Sequence, residues 1–145
     1  MITQITKKVA LCEATEVTEE VLKKLEIQCV FNINEVENPW ERDGLPNEKE
    51  LCEKLGITYL WFPCPGDGKT MTAYKERLFA ASVVLGDLCK HYNRIILHCL
   101  NSIDRAPFVL ATYIANAADL TLPQAYSVVK QQRKWVMEHY EWVLQ

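Results

Sequence analysis

The 145-residue sequence contains no apolar run long enough to cross a bilayer, no internal repeat and no low-complexity tract. The first absence excludes a membrane-spanning helix, which needs about 18 consecutive apolar residues, and the others exclude solenoid, collagen-like and coiled-coil chains. The net charge of −3 lacks the basic footprint of a nucleic-acid-binding protein, so no nucleic-acid partner is expected. No long apolar stretch follows the first lysines, so we expect no signal peptide and a cytoplasmic location.

Cysteine pairs with metal-site spacing are also missing. The six cysteines form no Cys-x-x-Cys pair, and no paired cysteine and histidine spacing resembles a zinc site. We therefore predict reduced thiols that mostly fill the core, with no metal and no cofactor. The acidic run at residues 48–53 is interpreted as a solvated helix face.

The composition is that of an ordinary globular protein, with 49% hydrophobic and 24% charged residues. Candidate strands lie at residues 8–12, 28–33, 57–62 and 94–98. Candidate helices lie at residues 19–26, 47–55, 72–92, 106–118, 121–133 and 136–144. This alternation predicts one α/β domain over residues 1–145, a monomer, with a mostly parallel sheet of about four or five strands and helices on both faces.

One segment concentrates the chemistry. A buried strand ends at Cys99, five residues follow, and Arg105 precedes a helix. A short loop that enters a helix N-terminus directs backbone N–H groups into one concavity, and a guanidinium adds a bidentate donor. This arrangement predicts a site for an oxyanion such as phosphate. A thiol there is favoured in its thiolate form and is a nucleophile directed at phosphorus.

A proton donor for the leaving oxygen is predicted at Asp67, in the sequence Gly66-Asp67-Gly68 after another strand. The carboxyl ends of neighbouring parallel strands open at the same edge of a sheet, so the two loops are expected to meet. The competing interpretation is a simple turn, since Asp-Gly is a strong turn signal.

The motif His98-Cys99-x5-Arg105 resembles the signature loop of the cysteine-dependent protein tyrosine phosphatases, and the compact dual-specificity-like branch is closest in length. The Ala-Pro dipeptide after Arg105 is similar to the phosphatases of regenerating liver, and residues 63–68 resemble the acid loop of small members. The resemblance implies phosphomonoester hydrolysis through a phosphocysteine on Cys99. It gives Asp67 the role of the general acid, and it implies that His98 tunes the thiolate from behind. The alternative for His98 is a purely structural, hydrogen-bonded histidine.

The resemblance also implies which residues bind the phosphoryl group. They are the loop residues Leu100, Asn101, Ser102, Ile103 and Asp104, together with Arg105. None of the loop residues is basic, whereas a polyanionic phosphoinositide favours Lys or Arg at such positions. The expected partner is therefore a phosphorylated protein that carries phosphotyrosine, with phosphoserine or phosphothreonine also possible substrates. Lys69 is the one nearby cation of interest.

Three residues depart from the family pattern. Ser102 replaces the usual glycine. Because a positive φ is uncommon for residues other than glycine, we expect the serine to strain the loop. The Ser102 hydroxyl is also a candidate donor to the oxyanion. Ala106 replaces the Ser or Thr that stabilises the departing thiolate, so slow hydrolysis of the intermediate is expected. Asp104 precedes the arginine, as an acidic residue does in lipid phosphatases of the myotubularin type.

Other interpretations of the motif remain open. Cys99 is a buried structural thiol in the simplest alternative. A phosphate-binding pseudophosphatase is consistent with the departures at Ser102 and Ala106. A sulfur transferase of the rhodanese class also places a cysteine in a strand–helix loop, although Arg105 fits phosphoryl transfer better. A reversible disulfide between Cys64 and Cys99 is a further hypothesis.

Overall fold

The sheet in the computed structural model, which describes residues 1–65 and 75–144, contains five strands. They are β1 (Thr3–Gln4), β2 (Val9–Leu11), β3 (Cys29–Asn32), β4 (Thr58–Trp61) and β5 (Ile95–His98). Their spatial order is β1-β2-β5-β3-β4, with β1 antiparallel to β2 and all other neighbours parallel. The mostly parallel sheet predicted from the sequence is confirmed. The two-residue edge strand β1 was not predicted, because so short a segment shows no periodicity.

Five α-helices accompany the sheet in the described part of the chain. They are α1 (Glu19–Lys24), α2 (Glu48–Leu55), α3 (Lys75–His91), α4 (Arg105–Ala118) and α5 (Leu122–Gln132). The predicted ends of α2 are confirmed: the Asn47 side chain accepts a hydrogen bond from the Glu50 N–H, and Gly56 adopts φ 70° after the last turn. A capping box of Thr121 and Gln124 begins α5, within one residue of the predicted start of this helix.

The core lies on both faces of the sheet because successive strand side chains point in opposite directions. In β5, Ile95 and Leu97 belong to the larger apolar cluster, which also contains residues of α3, α4 and α5. Ile96 belongs to the second cluster, which contains residues of α1 and α2. Helices therefore cover both faces, as predicted. No helix in the described ranges combines the length and the apolar character that a membrane crossing requires.

The helix predicted over residues 136–144 is wrong. The structure shows turns and irregular backbone there. Its apolar spacing reflects separate anchoring contacts: Val136 and Trp142 are each 3% exposed, and Trp142 packs edge-to-face on Phe108 of α4. The Met137 N–H donates to the Ile103 carbonyl at 3.0 Å, so the segment is tied to the loop after β5.

Candidate active site

The 99–104 loop connects β5 to α4 at the carboxyl edge of the parallel strands. β5 is buried at all four positions and lies between β2 and β3, so the loop begins at a fixed point in the core. Arg105 is the first residue of α4, one position earlier than predicted. The loop therefore lies at a helix N-terminus, where the partial positive charge favours an anion.

The carbonyl groups of the loop are bound by the surrounding scaffold. Leu100 O accepts from the Ala14 N–H at 2.8 Å, and Ile103 O accepts from the Met137 N–H at 3.0 Å. By contrast, the backbone N–H groups of residues 100–104 donate no hydrogen bond to any residue in the described part of the chain. Free N–H groups at a helix N-terminus are the donors that an oxyanion site needs, and the oxyanion site stays a prediction.

Arg133 binds two further carbonyl groups of the loop, and the sequence analysis missed it. Its Nη2 donates to Asn101 O and its Nε to Ser102 O, both at 3.0 Å. Its Nη1 donates to Met1 O and, at 2.9 Å, to Thr3 Oγ1. The side chain is fully buried, and burial lowers the pKa of its guanidinium from the ordinary value. Arg133 thus fixes the loop through the carbonyl oxygens of Asn101 and Ser102.

Ser102 adopts φ 53°, the left-handed conformation that the usual glycine adopts freely. Its hydroxyl donates to Cys12 O at 2.5 Å and accepts from the Cys99 N–H at 3.4 Å. The Cys99 Sγ lies 4.0 Å from Ser102 Oγ. The hydroxyl is therefore engaged within the protein, and these bonds offset the cost of a positive φ at a non-glycine residue.

The Arg105 guanidinium forms hydrogen bonds to the two segments that follow β3 and β4. Its Nη1 donates to Cys64 O at 2.9 Å and its Nη2 donates to Asn34 Oδ1 at 3.0 Å. Cys64 follows β4, and Asn34 follows β3. No sequence pattern points to Asn34, because its contact with Arg105 depends on the order of strands in the sheet. Asp67 and Lys69 lie outside the described residues, although the segment that leads to them begins beside Arg105.

A buried polar network lies behind Cys99. His98 Nδ1 donates to Cys99 O at 2.7 Å, and His98 Nε2 lies 2.7 Å from Glu48 Oε1. The second carboxylate oxygen of Glu48 lies 3.8 Å from Arg42 Nε. Glu48 is fully buried, so the interpretation of residues 48–53 as a wholly solvated face is wrong at this position. The network fixes the His98 ring and, through it, the start of the loop.

Glu48→Gln is expected to lower the free energy of unfolding by about 3–5 kcal/mol, because it removes the charge that compensates the buried Arg42. Urea denaturation of the two proteins measures the difference. The matched control is Glu53→Gln, which changes an exposed glutamate of the same helix and should shift stability by less than about 0.5 kcal/mol. Equal effects of the two substitutions would contradict the assigned network.

Cys64 and Ala106 are both buried in the core cluster that contains Cys99. Burial raises the pKa of the Cys64 thiol to about 12, although Arg77 and Arg105 oppose the rise. A thiol that stays protonated is a poor attacking group in disulfide exchange, so attack by Cys64 to form the hypothetical disulfide with Cys99 is disfavoured. Residues 1–65 and 75–144 contain no group of three metal-ligating side chains.

A family model for the catalytic domain of dual specificity phosphatases matches residues 9–145, which is nearly the whole chain. No curated protein matches the sequence. The family evidence therefore comes from the model match, and it includes the 99–104 loop together with the segment that contains Arg133.

Solved structures share the fold. Tk-PTP in its active form has a TM-score of 0.70 at 20% identity and covers 97% of this chain and 90% of its own. PTPMT1 has a TM-score of 0.77 at 16% identity, over 98% and 88% of the two chains; it has also been solved in complex with PI(5)P. Human DUSP28 has a TM-score of 0.70 at 15% identity, over 97% and 89%.

Proposed function

The chain belongs to the family of dual specificity phosphatase catalytic domains, and we propose that it hydrolyses phosphomonoesters with Cys99 as the nucleophile. A phosphatase of this family acts on phosphorylated substrates. The finer assignments, namely the cysteine mechanism, the intermediate and the substrate class, rest on the geometry of the 99–104 loop.

The reaction has two steps. The Cys99 thiolate attacks phosphorus, the S–P bond forms, and the bond from phosphorus to the leaving oxygen breaks. Asp67 is the proposed donor of the proton that the leaving oxygen needs. Water then attacks phosphorus and gives a proton to the Asp67 carboxylate that the first step left, the S–P bond breaks, inorganic phosphate leaves and the Cys99 thiolate is regenerated. The N–H groups of residues 100–104 and the Arg105 guanidinium stabilise the phosphoryl oxygens in both steps.

The observation that carries this proposal is the orientation of the loop. Its four carbonyl groups at residues 100–103 are bound by Ala14, Arg133 and Met137, while its N–H groups have no acceptor among the described residues. A loop held in this way presents donors to an anion without reorganisation, which is the arrangement that stabilises charge in a transition state. A merely structural cysteine needs no such arrangement.

The loop favours a phosphorylated protein over a phosphoinositide. Leu100, Asn101 and Ile103 contribute no positive charge around the site, and a headgroup with several phosphates favours cations at such positions. PTPMT1, which has been solved in complex with PI(5)P, is only 15% identical to this chain. Its ligand therefore does not identify the substrate of this chain. We therefore propose phosphotyrosine, phosphoserine or phosphothreonine side chains as the substrate class.

Rapid mixing with an activated aryl phosphate tests the proposal. The expected result is a burst of phenol about equal to the enzyme concentration, followed by slower steady turnover, because the intermediate forms faster than it hydrolyses. Absence of phenol release, with phosphate still protecting the protein from thermal unfolding, would contradict the enzyme assignment. That outcome would support the alternative, a pseudophosphatase that binds phosphate without turnover.

Ala106→Ser is expected to raise the steady-state rate about tenfold and to leave the burst rate nearly unchanged. The added hydroxyl restores a donor to the departing thiolate, and a hydrogen bond to a charged group contributes about 1.5–3 kcal/mol. The burst assay measures both rates in one experiment. Ala111→Ser, at another fully buried alanine of α4, is the matched control and should not accelerate turnover.

A further inference from the structure

Asp104 places a carboxylate in the anion-binding loop, immediately before Arg105. Its side chain is 46% exposed, and it does not cap α4 with a side-chain hydrogen bond. An uncompensated negative charge here would oppose the binding of a dianionic phosphoryl group. The site therefore requires a compensating group for Asp104.

His139, in the irregular C-terminal segment, contacts this carboxylate directly. Its Nε2 lies 2.7 Å from Asp104 Oδ1, and its Nδ1 lies 2.5 Å from Glu141 Oε1. The ring stacks on Trp142 with centroids 3.8 Å apart and planes 7° apart. The backbone N–H of His139 donates to the Tyr126 hydroxyl at 3.1 Å. The imidazole is therefore fixed in position between two carboxylates.

The two contacts indicate the charge of the ring. A neutral imidazole donates through one nitrogen only, whereas both His139 nitrogens face ionised acceptors, so the arrangement fits an imidazolium. Burial opposes the charged form, but the hydrogen bonds to Asp104 and Glu141 outweigh it and raise the pKa of His139 above its usual value. The two carboxylate contacts thus favour the imidazolium form of the ring beside the loop.

We propose that His139 is a positioning residue that neutralises Asp104 and thereby allows the 99–104 loop to bind a doubly charged phosphoryl group. This inference rests on the proposed function, because it assigns a role in the same phosphate site. His139 does not touch the substrate; it acts through Asp104. The pairing also accounts for the acidic residue in a loop whose ligand is an anion.

The pairing gives substrate binding a defined pH dependence. Below the raised pKa of His139, the imidazolium compensates the negative charge of Asp104. As the pH rises through that pKa, His139 loses its charge, the Asp104 charge becomes uncompensated and anion binding weakens. The segment of residues 136–144 and α5 carry further charged or titratable groups. They are Glu138, Tyr140, Glu141, Tyr126 and Lys130, and Lys130 is paired with Glu138 at 3.4 Å. Hydrogen bonds keep the pKa values of both glutamates below the usual range, so neither changes charge over this pH interval.

Tungstate binding, measured by calorimetry from about pH 6 to about pH 9, tests the proposal with an anion whose charge is constant over that range. His139→Gln is expected to weaken binding about tenfold at the lower pH and to abolish the pH dependence. In the Asp104→Asn background, the same substitution should change the affinity less than about twofold, because no charge is left to compensate. His91→Gln, at an exposed histidine that ends α3, is the control and should bind as the native protein does.

Glu141→Gln provides a second variant that keeps the ring, its stack on Trp142 and its bond to Asp104. It should move the midpoint of the pH dependence to lower pH, since one of the two carboxylates that favour the imidazolium is removed. If His139→Gln lowers the tungstate affinity equally in the native and Asp104→Asn backgrounds, the inference is overturned and His139 is a packing residue. Failure of the native protein to bind tungstate at any pH would instead overturn the phosphate site itself.

Discussion

Replacement of Cys99 by serine is expected to lower the turnover of an aryl phosphate by about 10⁴-fold or more while leaving tungstate binding intact. A serine hydroxyl is not ionised near neutral pH, so it does not replace the thiolate. In the proposed site the anion is bound by the loop N–H groups and by Arg105, which the substitution leaves in place. Stopped-flow turnover and calorimetric binding measure the two effects.

Cys89→Ser is the matched control for this prediction. Cys89 is another buried cysteine of the same core cluster, on α3, and its replacement should leave turnover within about threefold of the native rate. If Cys99→Ser retains hydrolysis at a rate similar to that of Cys89→Ser, another group is the nucleophile.

Arg105→Lys is expected to lower kcat/KM by about 10²–10³-fold. The guanidinium forms two hydrogen bonds in a fixed plane, here to Cys64 O and Asn34 Oδ1, and this fork also matches two oxygens of a phosphoryl group. A lysine ammonium keeps the positive charge but not the planar pair of donors. Donors directed at developing negative charge contribute effects of this size.

Arg94→Lys, at an exposed arginine just before β5, controls for a general effect of the substitution. Its kcat/KM should equal that of the native enzyme. A decrease of less than about threefold for Arg105→Lys would show that charge alone is required at the start of α4, and it would contradict bidentate binding of the phosphoryl group.

The sheet could be predicted because its strands are continuous apolar segments separated by turn residues. β3, β4 and β5 are each four residues long and lie within the predicted ranges. The segment at residues 136–144 has apolar residues at helical spacing, yet it is irregular because its N–H groups and side chains contact the 99–104 loop and α4. Periodicity cannot distinguish such anchoring from an amphipathic helix.

The parts of the site that are adjacent in sequence were predictable, and the parts that depend on the tertiary fold were not. Cys99 and Arg105 are recognised from one short motif. Glu48 lies 50 positions from its partner His98 and belongs to a run of acidic residues that is typical of solvated helices. Arg133 lies 31 positions from Ser102, whose carbonyl it binds. No local pattern distinguishes these buried charges from surface charges.

Ser102 shows how a local departure is accommodated. The motif predicts a positive φ at this position, and the structure has it at 53°. The compensating contact, from the hydroxyl to Cys12 O, involves the residue that follows β2 and joins positions 90 apart in the sequence. Strain was therefore predictable from the motif, whereas its compensation was visible only once the strand order was known.

The most direct test of the mechanism is detection of the phosphocysteine itself. The native enzyme is mixed with an aryl phosphate, quenched during steady turnover, digested with trypsin and analysed by mass spectrometry. The predicted result is one phosphoryl group on the peptide of residues 95–105, where Cys99 is the only cysteine, with a larger fraction modified in the native protein than in Ala106→Ser. Steady turnover with no phosphoryl group on this peptide, or with one on another residue, would contradict Cys99 as the nucleophile.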